Sequence, residues 1–258
     1  MNQHLLKTKL VAAVTLWATL AHFAWADDAG SALAAKLRAK ESGSSVVRIR
    51  MQGGTSNQTL QLQIKSRVTG AASDIVYQVL FPKERKGESV LLHRSGHKFS
   101  GTAFTPPSAV KQIGAGEMNQ PLLGMDLSYE DIIDSPFAWG QQAIVGTQDV
   151  GRFPCQILES KPGKDHASSY ASVKTWVDPQ RMVPLQIEKY DSSGKVVRRI
   201  NITRMLLDGG DSLPADLEVS AAGTSVTHIT GSSIKRAVNF TDAEFTADGL
   251  KQLNVQPE

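Results

Sequence analysis

The sequence predicts a mainly β fold: a single, strongly curved antiparallel sheet with short helices plugging one apolar face. Three observations predict it. About ten segments alternate apolar and polar residues at the short, regular spacing of meanders, barrels and sandwiches. No stretch reads as the crossover helix that a parallel sheet needs. The helical stretches are short and amphipathic, so each must lie against something apolar.

The chain of 258 residues begins with the pattern of a secretory signal peptide. Lys7 and Lys9 supply a positive region, and Leu10 to Phe23 an apolar core too short to stay across a bilayer. Ala24-Trp25-Ala26 is an A-x-A cleavage site, which predicts a mature chain from Asp27. No cysteine stands beside that site for acylation, so a soluble exported protein is expected, periplasmic in a Gram-negative cell. No Pro/Ser-rich linker or charge block divides the remainder. The expected organisation is a signal peptide over 1–26 and one domain over 27–258.

Composition narrows the function classes. Loss of the two lysines takes the net charge from +3 to +1 (3 − 2), which gives no reason to expect a nucleic-acid partner. Cys155 is the only cysteine, so no internal disulfide forms. It sits in the apolar run Phe153 to Leu158 and reads as a small buried hydrophobe.

Asp28 to Lys40 reads as a helix, with Leu33 and Leu37 at i, i+4 and Gly43 as its cap. Strands follow at Ser45 to Met51, at Leu60 to Ile64 and at Ile75 to Phe81. Val90 to His93 and Lys98 to Phe104 are joined by a Ser95-Gly96 hairpin. Pro106, Pro107, Gly114 and Gly116 mark irregular chain. Later strands are Ala143 to Thr147, Cys155 to Ser160, Ala171 to Val177, Leu185 to Tyr190 and Lys195 to Leu207. The last two are joined by an Asp191-Ser192-Ser193-Gly194 turn. Leu217 to Ala221 and Ser225 to Thr230 close the sheet. A final helix starts at Thr241, with Glu244 completing a capping box, Phe240 and Phe245 forming a staple, and Gly249 as its end.

Between the two runs of strands lies Gly124 to Ile133, the best-marked helix start of the chain. Ser128 is an N-cap, Asp131 a short capping-box acid, and Leu127 and Ile132 a hydrophobic staple. Glu130 and Asp131 put negative charge in the first turn, where the helix dipole favours it. Tyr129, Ile132 and Ile133 form one apolar face, and Pro136 limits the length.

Signatures of catalysis are missing: there is no H-E-x-x-H, C-x-x-C, G-x-S-x-G or P-loop. His93 and His97 flank the Ser95-Gly96 turn, offset from each other and beside cations, and read as solvated hairpin residues without a bound metal. Asp126, Glu130, Asp131 and Asp134 form an acidic cluster, and helix capping explains two of them. Arg48, Arg50, Arg198, Arg199 and Arg204 lie on predicted strands. Either all face solvent, or one points inward to fix a carbonyl or a residue of the helix, and parity alone does not decide. Trp139 and Trp176 pack in the core or line an apolar cavity.

Three stretches carry a resemblance. Gly124-Met125-Asp126-Leu127-Ser128-Tyr129-Glu130-Asp131-Ile132, Trp176-Val177-Asp178, and Pro184 to Lys195 with its Glu188-Lys189-Tyr190-Asp191 resemble segments of outer-membrane lipoprotein-sorting proteins, the LolA-like group. Gln186 stands where that pattern carries lysine, and Phe245 and Leu250 are similar to its ending. The resemblance implies a half-open antiparallel barrel, its concave apolar face closed by short helices. It also implies a periplasmic, non-enzymatic carrier or chaperone for the acyl chains of lipoproteins or a related lipid, without a cofactor or metal. Tyr129, Ile132 and Ile133 would form a lid stapled by Leu127, with Trp139 and Trp176 as cavity walls. Expected partners are an inner-membrane transporter or outer-membrane acceptor, with the chain itself a monomer. The alternative is an envelope sensor or accessory subunit that binds the same ligand and regulates an exporter or anti-sigma factor. A hydrolase ranks last, for want of a nucleophile motif.

Overall fold

The structure is a computed structural model that describes residues 21–54, 57–70, 72–164, 166–221 and 226–252. Most of the expected signal peptide falls outside these residues. Helix α1 spans Ala21–Glu41, so the expected cleavage point after Ala26 falls within its first turns.

Thirteen strands form one antiparallel sheet, more than the sequence pattern predicts. The first run is β1 (Gly43–Gly53), β2 (Gln58–Thr69), β3 (Ala72–Phe81), β4 (Ser89–Ser95), β5 (Lys98–Thr105) and β6 (Ala109–Ile113). The second is β7 (Gln141–Val150), β8 (Phe153–Lys161), β9 (Ser172–Asp178), β10 (Val183–Tyr190), β11 (Val196–Asp208), β12 (Asp211–Ala221) and β13 (Val226–Arg236). Their order across the sheet is β6-β5-β4-β3-β2-β1-β13-β12-β11-β10-β9-β8-β7.

That order explains where the helices lie. The chain starts in the middle at β1 and meanders out to one edge, β6. It then crosses to the opposite edge, β7, and meanders back until β13 pairs with β1. Edges β6 and β7 do not pair, so the barrel is half open. The crossing segment, residues 114–140, contains helix α2 (Tyr129–Ile133) and short 3₁₀ turns at Ala115–Glu117, Leu122–Gly124 and Pro136–Ala138.

Alternation sorts the side chains into two faces. Met51, Leu60, Leu62, Tyr77, Val79, Val90 and Leu92 point to the concave face, where Leu122, Leu127 and Ile133 of the crossing segment pack on them. At the other end of the sheet, Leu33, Ala34 and Leu37 of α1 pack with Phe137 on Leu158 and Val177. The C-terminal helical pieces, Asp242–Phe245 and α3 (Ala247–Gln252), go to the other face. Phe245 and Leu250 cover Val76, Leu91 and Phe104 there. Gly249 does not end α3 but lies within it, and a Cβ at this position would stand 2.1 Å from the Ala243 carbonyl oxygen.

The hairpin between β4 and β5 is shifted from the expected register. Ser95 pairs with Lys98 and Arg94 with Phe99, so the turn is Gly96-His97, with Gly96 at φ +61°. Positive φ at the first turn position alone is the pattern of a type II′ turn, where glycine is preferred.

Candidate functional site: an apolar cavity and the helix over it

The middle of the concave face is not filled by either helix. There β1 presents Val47, Ile49 and Met51, β11 presents Ile200 and Ile202, and β12 presents Leu213, Ala215 and Leu217. Ile229 of β13 and Pro184 and Ile187 of β10 complete the floor, and Leu127 and Ile132 of the crossing segment form a wall. The cavity measures about 590 Å³, within the range that holds a drug-sized apolar ligand. Tyr77 also lines it, and burial pushes its phenol well above the ordinary value, so that wall carries no charge. Its charged lining residue, Arg204, stands at the rim, engaged by both carboxylate oxygens of Asp216 at 2.7 and 2.8 Å.

Helix α2 is five residues long and cannot hold itself. Its cap forms as the sequence predicts: the Asp131 amide donates to Ser128 Oγ at 3.1 Å, and the Ser128 amide donates to Asp131 Oδ2 at 2.8 Å. Capping, however, is only part of what Asp131 does. Its side chain is 0 % exposed and pairs with Lys189 Nζ at 2.7 Å and Arg198 Nε at 2.9 Å. Tyr170 donates its hydroxyl to Asp131 Oδ1 at 2.8 Å. Burial alone would raise the Asp131 pKa, but Lys189 and Arg198 outweigh it and hold the carboxylate below its ordinary range. The same pair raises Lys189, although burial opposes it.

The other three acids of the stretch go to other elements. Glu130 accepts from Ser168 Oγ at 2.5 Å, from the Ser169 amide at 3.0 Å and from the Ser169 hydroxyl. Asp134 meets Trp139 Nε1 and His166 Nε2, each at 2.9 Å. Asp126 accepts from Thr227 Oγ1 at 2.7 Å. The four acids therefore do not converge on one point. Ser168, Ser169, Tyr170 and His166 all belong to the loop between β8 and β9, which grips Glu130 and Asp131 of α2 and its C-cap Asp134.

The expected site residues separate accordingly. Leu127 and Ile132 line the cavity, while Ile133 is 3 % exposed inside the core and Tyr129 is half-buried against it. Trp139 does not reach the cavity: it packs with Tyr170 and Val173 and anchors Asp134. Trp176 does not reach it either. Alternation puts it on the face opposite Thr175 and Val177, where it packs with Cys155, Val183 and Leu185. Among the five strand arginines, Arg198 is the one that turns inward to hold a residue of the helix. Arg199 pairs with Glu188 on the outside, and Arg48 and Arg50 are exposed. His93 Nδ1 donates to Asp74 Oδ1 at 2.7 Å, and no cluster of metal-ligating side chains exists among the described residues.

Residues 73–252 match the model of a family described as "Uncharacterized protein". A DUF1329 family protein from Desulfovibrio piger has a similar structure, with a TM-score of 0.80 at 21% identity over 87% of this chain and 99% of that one. An outer membrane lipoprotein-sorting protein domain from Vibrio parahaemolyticus gives 0.79 at 17% identity, over 87% and 99%. A LolA superfamily protein from Nitrosomonas europaea gives 0.67 at 18% identity, over 85% and 98%. The chain belongs to the family whose model spans residues 73–252, and its fold is LolA-like. No curated protein matches it.

The LolA-like fold brings together stretches that are far apart in the sequence. Gly124 to Ile132 lies in the crossing segment, and Pro184 to Lys195 forms β10 and its turn into β11. They meet through the Asp131–Lys189 ion pair. Trp176-Val177-Asp178 ends β9, where the buried Asp178 accepts from the Gln180 and Arg181 amides at 2.9 and 3.2 Å and so shapes the next turn.

Proposed function

We propose that this chain is a non-enzymatic periplasmic carrier that holds an acyl chain of a lipoprotein or related lipid in the concave cavity, with α2 as a lid. The single observation that carries the proposal is the apolar trough of about 590 Å³ with Leu127 and Ile132 of the crossing segment as its wall. The LolA-like fold supports it, as does the lipoprotein-sorting description of a structural relative. On this reading the signal peptide is removed after Ala26, α1 begins at Asp27, and residues 27–258 act as one monomeric domain. Its partners would be an inner-membrane donor and an outer-membrane acceptor.

The cavity exists with α2 in place, so one chain enters without lid movement. A bulkier, multiply acylated cargo needs the lid to move. Burial of a lipid chain contributes about 0.8 kcal/mol per methylene. Breaking a buried ion pair such as Asp131–Lys189 costs about 3–5 kcal/mol, so roughly five methylenes offset it. Reversible hand-off follows from this near balance.

Native mass spectrometry of the protein recovered from the periplasm, with extraction of its lipid, tests the reading. Bound acyl lipid in the wild type, reduced in Leu217→Arg, is expected. Recovery without lipid, and no binding of an N-acylated peptide added afterwards, would reject it.

A further inference from the structure

A second cavity, of about 600 Å³, lies where the C-terminal part of α1 meets the turns after β2 and β4, and it shares no lining residue with the apolar trough. Its walls include Arg38, Arg94, His97 and His166. Arg94 is the anomaly. It is 6 % exposed, yet its only described side-chain partner is the neutral hydroxyl of Ser73, at 3.0 Å. Its Nε has no partner among the described residues, and no carboxylate there comes within ion-pair distance. Glu41 acts on Arg94 electrostatically from beyond ion-pair distance and accepts from Ser135 Oγ at 2.7 Å. A cation taken out of water without a carboxylate in direct contact is costly, so the arrangement needs an explanation.

We propose that this cavity is an anion site, built for an oxyanion-bearing group such as a phosphate or carboxylate. The planar guanidinium of Arg94 suits two oxygens at once, and Arg38 adds a second cation from α1. The histidines border the same cavity. His166 Nε2 is held by Asp134 at 2.9 Å, and its Nδ1 lies 2.9 Å from Nδ1 of His97. With Nε2 of His166 donating to Asp134, the Nδ1 proton of this contact belongs to His97. The imidazole of His97 is exposed at the cavity wall. Backbone at Gly70 and Gly96 borders the cavity without side chains in the way.

The free anion and a lipid headgroup share this chemistry, so two probes separate them: inorganic phosphate, and a short-chain phosphatidate kept below its micelle concentration. Each is titrated into ¹⁵N-labelled full-length mature protein while the amides of Gly70, Gly96 and His97 are followed. Saturable shifts at these amides with phosphate indicate a free-anion site, and shifts with phosphatidate alone indicate a headgroup site. In either case Arg94→Gln should weaken binding about tenfold or more, the loss of a hydrogen bond to a charged group. The exposed Arg38→Gln should weaken it less and keeps the test valid if Arg94→Gln does not fold. Neither probe shifting these amides, or equal affinity in wild type and Arg38→Gln with shifts centred elsewhere, overturns the proposal.

Discussion

Asp131 holds three positions at once: the third helical residue of α2, the floor of a buried ion cluster, and the acceptor for Tyr170. Its capping role was legible in the sequence, because Ser128 and Asp131 are three residues apart and the box is a local motif. The ion pairs were not. Lys189 and Arg198 lie far downstream, and only the register of β10 on β11, which pairs those two residues, brings them to one point. Asp131→Asn should therefore cost about 3–5 kcal/mol in urea unfolding, because it leaves buried cations uncompensated. Ser128→Ala, which removes the cap alone, should cost about 0.5–2 kcal/mol. The pH dependence has a definite sign. The folded Asp131 pKa is below its ordinary 3.8, so its contribution is present above that value and fades as pH falls through the folded one. The folded Lys189 pKa is above 10.5, so its share is present below 10.5 and fades as pH rises through the raised value. The difference in unfolding free energy between wild type and Asp131→Asn should be flat through neutral pH and shrink in acid below 3.8. A difference that persists unchanged in acid would mean that charge is not what Asp131 contributes.

At the scale of one element, α2 shows what helical periodicity can and cannot say. Tyr129, Ile132 and Ile133 do share a face, but that face straddles a boundary in the structure: Ile133 enters the core and Ile132 enters the cavity wall. Periodicity sees the stripe, not the surface beneath it. The two isoleucines should respond differently. Ile133→Asp buries an unpaired charge and should destabilise by about 4 kcal/mol or more, seen as loss of the cooperative transition at 37 °C. Ile132→Asp should leave a folded protein whose affinity for an N-acylated peptide drops about tenfold or more, the worth of one isoleucine contact. Equal effects of the two on stability would remove Ile132 from the cavity wall. Elsewhere the alternating strands were readable because one face is buried. Strand β6 was not, since four of its five residues are exposed and no apolar rhythm marks it. Of the two readings of the tryptophans, core packing is the one the structure shows and cavity lining is not, and the sequence left both open because a large aromatic has two faces of a sheet to choose from and only pairing decides which.

For the whole molecule, the strand order is the fact that local pattern does not contain. Alternation marks strands but not neighbours, and the middle-out path from β1 to β6, then across to β7 and back, is set by long-range pairing. This path makes the proposed lid part of the topology. The crossing segment spans the open side because it must join the two edges, and it stays there whether or not α2 is seated. A seated α2 is held by the β8–β9 loop and by Lys189 and Arg198, all on the β7–β13 side, while its apolar residues rest mainly on β1 to β4. Ligand that shifts the lid must therefore break apolar contacts on one half or the ion cluster on the other. Hydrogen exchange distinguishes a moving lid from a fixed wall. The amides of Glu130 and Asp134, which donate to Met118 and Glu130 carbonyls, report α2, and the β1–β13 ladder reports the sheet. On binding a multiply acylated lipopeptide, the α2 amides should exchange faster while the β1–β13 amides keep their protection. A singly acylated peptide, whose chain fits beside Ile132, should leave α2 protected. If both ligands bind and neither loosens α2, the helix is a fixed wall of the cavity, and the ion cluster around Asp131 serves only to hold it there.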